Sequence, residues 1–130
     1  MEERKVRKAK VLIVDDNFIG FRILPHYLKK HWQVCVDEAQ NGKIGIKMIS
    51  ENQYDLVIMD IFMPVMDGFE ATKAIRAIEG EYFQKVPIFG LLHMIDEEFI
   101  ARVIQCGMTG WLEKPINLDQ LTQKLSIYLK

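Results

Sequence analysis

Three aspartates and one lysine are the side chains best placed to do chemistry. Asp15 and Asp16 close the run Val11-Leu-Ile-Val14, Asp60 closes Leu56-Val-Ile-Met59, and Lys114 follows Gly110-Trp-Leu-Glu113. Taken singly, an aspartate at a strand end commonly only caps the next helix, and a lysine commonly sits in solvent. Their repeated placement at run ends is what carries meaning. Clustered carboxylates repel one another unless a cation neutralises them, and an all-oxygen set with room for water suits Mg²⁺. A carboxylate is also a competent phosphoryl acceptor, because that transfer needs positioning and charge neutralisation more than covalent help. Lys114 would supply a point charge for a phosphoryl oxygen.

Run ends share one edge only if the strands are parallel, and the order of elements predicts that they are. Residues 10–14 form a continuous apolar run rich in β-branched side chains, the pattern of a strand covered on both faces. Asn17 is placed to cap a helix running to about Lys30, with Phe18, Phe21, Leu24 and Leu28 on one stripe. Pro25 costs about 3 kcal/mol inside a helix, which predicts a kink or a later start. Residues 33–39 read as a second strand, and the Asn41-Gly42 turn leads to a helix over 43–50. Residues 54–59 are a third strand. Asp67-Gly68 opens a helix through Ile78 with Phe69, Thr72 and Ile75 inward, and residues 86–92 form a fourth strand entered through Pro87. Asp96 caps a fourth helix to Cys106, stopped by Gly107. Residues 110–113 are a fifth strand, and Asn117 with Gln120 forms a capping box for a fifth helix bearing Leu118, Leu121, Leu125 and Tyr128. Five strands alternating with five helices predict a parallel, doubly wound α/β sheet with right-handed crossovers. Ligands of such sheets bind beyond the carboxyl ends of the strands. Asp15, Asp16, Asp60, Leu92, His93 and Lys114 all fall there.

A chain of 130 residues, 49% hydrophobic and 27% charged, supports one domain with a sizeable core. Its formal net charge of −1 argues against a broad nucleic-acid footprint. Its apolar runs fall far short of the roughly 20 residues needed to cross a bilayer. The expectation is a cytoplasmic protein that binds neither nucleic acid nor membrane. Residues 1–9 are charge-dense and read as a tail or linker ahead of a domain over 10–130. Cys35 and Cys106 make neither a disulfide framework nor a metal-ligand set, and both are expected as reduced core residues.

The motifs Val11-Leu-Ile-Val-Asp-Asp-Asn17, Asp55-Leu-Val-Ile-Met-Asp-Ile-Phe-Met-Pro-Val-Met-Asp-Gly68, Val86-Pro-Ile88 and Gly107-Met-Thr-Gly-Trp-Leu-Glu-Lys-Pro115 closely resemble the receiver domains of response regulators and hybrid histidine kinases. The likeness runs from about Val11 to the C-terminus. It implies a flavodoxin-like (βα)5 fold with strand order 2-1-3-4-5. It further implies that Asp60 is the phospho-acceptor, that Asp15, Asp16, Asp60 and the backbone carbonyl of Phe62 hold Mg²⁺, with Mn²⁺ as a substitute, and that Lys114 contacts the phosphoryl group. A cis peptide before Pro115 is implied as well. The implied partners are a histidine kinase or histidine phosphotransfer protein. The face made by the fourth helix, fifth strand and fifth helix, with Phe99, Arg102, Trp111 and Tyr128, is where the family docks partners or forms homodimers, although Phe99 itself is expected in the core. Asp67 and Gly68 look like turn residues.

Three neighbouring positions depart from the family pattern. Leu92 stands where a Ser or Thr hydroxyl normally binds the phosphoryl group, His93 replaces a small residue, and Trp111 replaces the usual Tyr or Phe of the aromatic switch. The loss of one charge-assisted hydrogen bond, about 1.5–3 kcal/mol, weakens transfer or switching without removing a metal-neutralised acceptor. His93 is a candidate replacement donor or ligand. Phe62 and Met94, which flank the phosphoryl position, are apolar and cannot orient an attacking water, so a long-lived aspartyl phosphate is expected. Two readings follow: a phospho-accepting receiver, either free-standing or part of a longer protein, and a degenerate receiver that binds partners without phosphorylation. A hydrolase with an aspartyl-phosphate intermediate would need a second Asp where Phe62 stands. No enzymatic turnover beyond slow self-dephosphorylation is expected.

Overall fold

The computed structural model describes residues 8–16, 23–93 and 95–129. Among them a five-stranded sheet is built from β1 (Ala9–Val14), β2 (Val34–Ala39), β3 (Leu56–Asp60), β4 (Ile88–Leu92) and β5 (Gly110–Glu113). All pairings are parallel and the order is β2-β1-β3-β4-β5, as expected. Six helices accompany it: α1 (Ile23–His31), α2 (Gly42–Glu51), α3 (Gly68–Ala77), α4 (Glu81–Lys85), α5 (Glu97–Gln105) and α6 (Leu118–Leu125). The face expected from the fourth helix, fifth strand and fifth helix is therefore α5, β5 and α6. Asn17, Phe18, Phe21 and Met94 lie outside the described residues.

Every residue of β3 and β4 is buried, as continuous apolar runs require when helices cover both faces. Successive strand side chains point to opposite faces, so each run feeds two cores. Leu12, Val14, Val57, Met59, Ile88 and Leu92 pack with Ile49 of α2, Phe69 and Ile75 of α3 and Val103 of α5. Val11, Ile13, Leu56, Ile58, Phe89 and Leu91 pack with Leu24 and Leu28 of α1 and Leu121 and Leu125 of α6. The edge strand β2 is buried only at its ends, Val34 and Ala39.

Local caps set the helix boundaries. The Asn41 side chain accepts from the Ile44 amide, Asp96 from Phe99, and Asn117 from Asp119 and Gln120. The reciprocal capping box falls at Asp67 and Glu70, where the Glu70 carboxylate also accepts from the Asp67 amide, rather than at Asn117 and Gln120. Gly107 ends α5 with φ 99°. Pro25 is the third residue of α1, in a first turn whose amides have no partner within that helix.

Several boundaries differ from expectation. β1 begins at Ala9, inside the stretch read as tail, while β3 and β4 begin two residues late, at Leu56 and Ile88, because Tyr54 and Pro87 precede the ladder. Tyr128 falls beyond the end of α6. Cys35 is exposed on β2, not in the core, whereas Cys106 is buried. Phe99 is half-buried against the core rather than within it.

The short helix α4 was not expected. It has five residues, no side-chain cap and no buried residue, too little for a 3.6-residue period to register. Tyr82 anchors it through a hydroxyl that accepts from the Tyr54 amide and donates to the Tyr54 carbonyl, Arg76 donates to the Phe83 carbonyl at 3.0 Å, and Phe83 packs against the core. Tyr54 itself is 1% exposed and donates its phenol to Asp37 at 2.7 Å.

Removing the Tyr82 hydroxyl leaves both main-chain groups of Tyr54 short of a partner. Tyr82→Phe should lower unfolding free energy by about 1–2 kcal/mol in urea titration; equal midpoints would contradict that role. Burial first, then the Asp37 carboxylate, raises the Tyr54 phenol above its ordinary pKa of about 10. A folded-state pKa above the unfolded one gives stability that is complete below pH 10 and drains away as pH rises past it. The expected fall is up to about 1.4 kcal/mol per pH unit, and Tyr54→Phe should flatten it.

Candidate functional site

Parallel register brings the expected residues to one edge. Val14 pairs with Met59, so Asp15 lies level with Asp60 on the neighbouring strand. Leu92 pairs with Glu113, and the Lys114 amide donates to the Leu92 carbonyl at 2.8 Å, which sets Lys114 just beyond β5. One carboxylate oxygen from each of Asp15, Asp16 and Asp60 lies within 4.8 Å of the other two. Asp15 and Asp60 are buried, at 1% and 4% exposure, and Asp16 is exposed.

The Lys114 ammonium reaches Asp60 Oδ1 at 3.1 Å, with its side chain only 10% exposed. It is not a solvated surface lysine. The Ile61 amide donates to the same oxygen at 2.9 Å. Neither donor is on Oδ2. Three carboxylates and one ammonium sum to −2, and the buried pair Asp15 and Asp60, level on neighbouring strands, repel one another when both are ionised. An oxygen-only donor set with that charge fits a hard divalent cation.

Gly68, expected as a turn residue, has another reason to be glycine. A Cβ there would lie 2.3 Å from the Asp60 carbonyl oxygen and 2.9 Å from Ile61 Cα, and the Gly68 amide donates to the Ile61 carbonyl at 2.8 Å. Helix α3 thus starts directly against the backbone of Asp60. The loop between them turns at Val65, whose φ of 76° is strained for a β-branched residue.

The remaining expected residues divide. Leu92 is fully buried and belongs to the core, so it adds no polar group to the edge. His93 is exposed and does not join the carboxylate cluster found among the described residues. Trp111 is half-buried; Lys124 Nζ donates to its carbonyl at 2.6 Å and stands 5.0 Å from its ring centroid. Phe62 is 58% exposed, with its ring centroid 5.8 Å from that of Phe99. The Lys114–Pro115 peptide is cis.

A doubly wound sheet with three carboxylates and one lysine at its carboxyl edge is the arrangement expected of a receiver domain. The model of the response regulator receiver domain matches residues 11–126. The chain is 32% identical to histidine kinase CKI1 of Arabidopsis thaliana, over 89% of this chain and 12% of that protein. It is 34% identical to hybrid signal transduction histidine kinase B of Dictyostelium discoideum, over 92% of this chain and 7% of that protein. It thus spans a small part of the length of the curated relatives it matches. Chemotaxis protein CheY4 of Vibrio cholerae superposes with a TM-score of 0.85 at 32% identity, covering 95% of this chain and all of that one. The receiver domain of sensor histidine kinase PA1611 from Pseudomonas aeruginosa, which has a magnesium ion coordinated in its active-site cleft, superposes at 0.83 with 27% identity, covering 94% and 98%. The chain belongs to the response regulator receiver domain family of two-component signalling, related to the receiver segments of histidine kinases.

Gly68→Ala should cost more than about 2 kcal/mol, because backbone rather than a flexible side chain must give way. It should also move the Ile61 and Lys114 amide resonances; a well-folded variant with wild-type spectra would refute the close approach.

Proposed function

We propose that this domain accepts a phosphoryl group on Asp60 from a histidine kinase or histidine phosphotransfer protein and passes the signal on by changing what its surface binds. The observation that supports this most directly is the convergence of Asp15, Asp16 and Asp60 within 4.8 Å, with Lys114 on Asp60. Asp15, Asp16 and Asp60, with the backbone carbonyl of Phe62, would hold Mg²⁺, or Mn²⁺ in its place, which when bound offsets negative charge on the phosphoryl oxygens. The Ile61 and Lys114 donors on Oδ1 orient the Asp60 carboxylate so that Oδ2 is the nucleophile. As its bond to phosphorus forms, the phosphorus–nitrogen bond of the donor histidine breaks and the imidazole keeps the electron pair. Lys114 then balances charge on the new acyl phosphate.

Phe62 offers no hydrogen bond to a water beside Asp60. The domain is therefore an acceptor with slow self-dephosphorylation rather than a turnover enzyme. Partner docking through α5, β5 and α6, as a heteromeric contact or a homodimer, fits the exposed Ile104 of α5 and the half-buried Trp111 of β5. No helix among the described residues is long and apolar enough to cross a membrane, and we read the domain as cytoplasmic.

The burial of Leu92 without a hydroxyl favours a second reading, a receiver fold that binds partners without phosphorylation. Intact mass after incubation with acetyl phosphate and Mg²⁺ separates the two. Wild type should gain one phosphoryl group, and Asp60→Asn, or wild type with excess chelator, should gain none; an unmodified wild type favours the second reading. Phe62→Asn should shorten the lifetime of the phosphorylated form by about tenfold or more.

A further inference from the structure

The two positions that would carry a signal away from Asp60 by the sequence pattern offer no polar route. Leu92 is an aliphatic side chain sealed in the core, and Trp111 is held at both its carbonyl and its ring by Lys124. A different set of contacts reaches outward from the acceptor. Phe62, two residues after Asp60, places its ring 5.8 Å from Phe99 of α5 at 56°, and Phe99 lies 5.7 Å from Phe69 of α3 at 53°. The guanidinium of Arg102, one turn along α5, covers the Phe69 ring at 4.3 Å and the Phe99 ring at 5.9 Å. Both ends of this stack start from backbone beside the acceptor, since Phe69 follows Gly68, whose amide donates to the Ile61 carbonyl. The loop joining Phe62 to Gly68 holds Val65 at φ 76°, a strained conformation for a β-branched residue.

We propose that the state of Asp60 is communicated to the exposed face of α5 through the Phe62–Phe99 ring contact, with Arg102 clasping the stack, and not through Leu92 and Trp111. This rests on the phosphoryl-acceptor reading. A dianionic group on Asp60 displaces the loop that carries Phe62, and the ring pair transmits that displacement to α5, on which Ile104 is 65% exposed. The ring of Phe62, unlike its backbone carbonyl, and the ring of Phe99 thus act in coupling. By linkage, a partner bound on α5 must alter affinity at Asp60 by the same factor that occupancy of Asp60 alters affinity for that partner. An aromatic pair of this kind accounts for about threefold to tenfold.

The test is an amide-spectrum titration of the full chain with beryllofluoride and Mg²⁺. Wild type should shift at Ile61 and Lys114 near the acceptor and at Arg102 and Ile104 on α5. In Phe99→Leu the acceptor shifts should persist, the α5 shifts should collapse, and the titration midpoint should move by about threefold or more. Phe62→Leu/Phe99→Leu together should move the midpoint no further than either change alone. Trp111→Phe should keep the α5 shifts. A merely structural role for Phe99 would lower the melting temperature without moving the midpoint. The inference is overturned by undiminished α5 shifts and an unmoved midpoint in Phe99→Leu, or by α5 shifts that vanish in Trp111→Phe. If wild type shifts at neither Ile61 nor Lys114, the acceptor reading fails and takes the inference with it.

Discussion

The mutual repulsion of two buried carboxylates on neighbouring strands is the constraint around which the carboxyl edge of this domain is arranged. Asp15 and Asp60 are brought level by parallel pairing and lie almost wholly out of water. The fold could have avoided this cost with apolar residues of similar size, and instead it answers with counter-charge. Lys114 comes from the far side of the sheet, two strands from β3, and is held there by its backbone bond to Leu92. Stability is given up at this edge and recovered in the two apolar cores on either face.

That division of labour explains how much could be read from residues alone. Continuous apolar runs bounded by Asp, Asn and Gly gave away the strands, their parallel order and the edge on which Asp15, Asp16, Asp60 and Lys114 meet, because burial on both faces leaves a strong one-dimensional signal. What stayed hidden depends on contacts between distant segments. Helix α4 is too short for periodicity and is held by contacts with distant segments, the Tyr82 hydroxyl at Tyr54 and the Arg76 guanidinium at the Phe83 carbonyl. Cys35 looked like core because cysteine is commonly buried, but it sits on the thinly covered edge strand. Gly68 read as a turn, when the reason for glycine is the carbonyl of Asp60 just behind it.

The departures at Leu92, His93 and Trp111 were legible as substitutions but not as structure. Only the packed molecule places Leu92 wholly in the core, His93 out in solvent and Trp111 under Lys124. The aromatic contact between Phe62 and Phe99 joins residues far apart in the chain, and nothing local to either one announces it. The resemblance points to aromatic rings on this surface; which ring meets which is decided by the crossover after β4 that sets α5 beside α3.

The unequal surroundings of the two cysteines have a practical consequence. Cys35 opens to solvent on β2, while burial raises the pKa of the Cys106 thiol and keeps it from its reactive thiolate form. A thiol-directed fluorophore or spin label at neutral pH will therefore settle on a single atom of the native chain, at the amino end of β2 and so opposite the acidic edge, and report on the domain without any engineered attachment point.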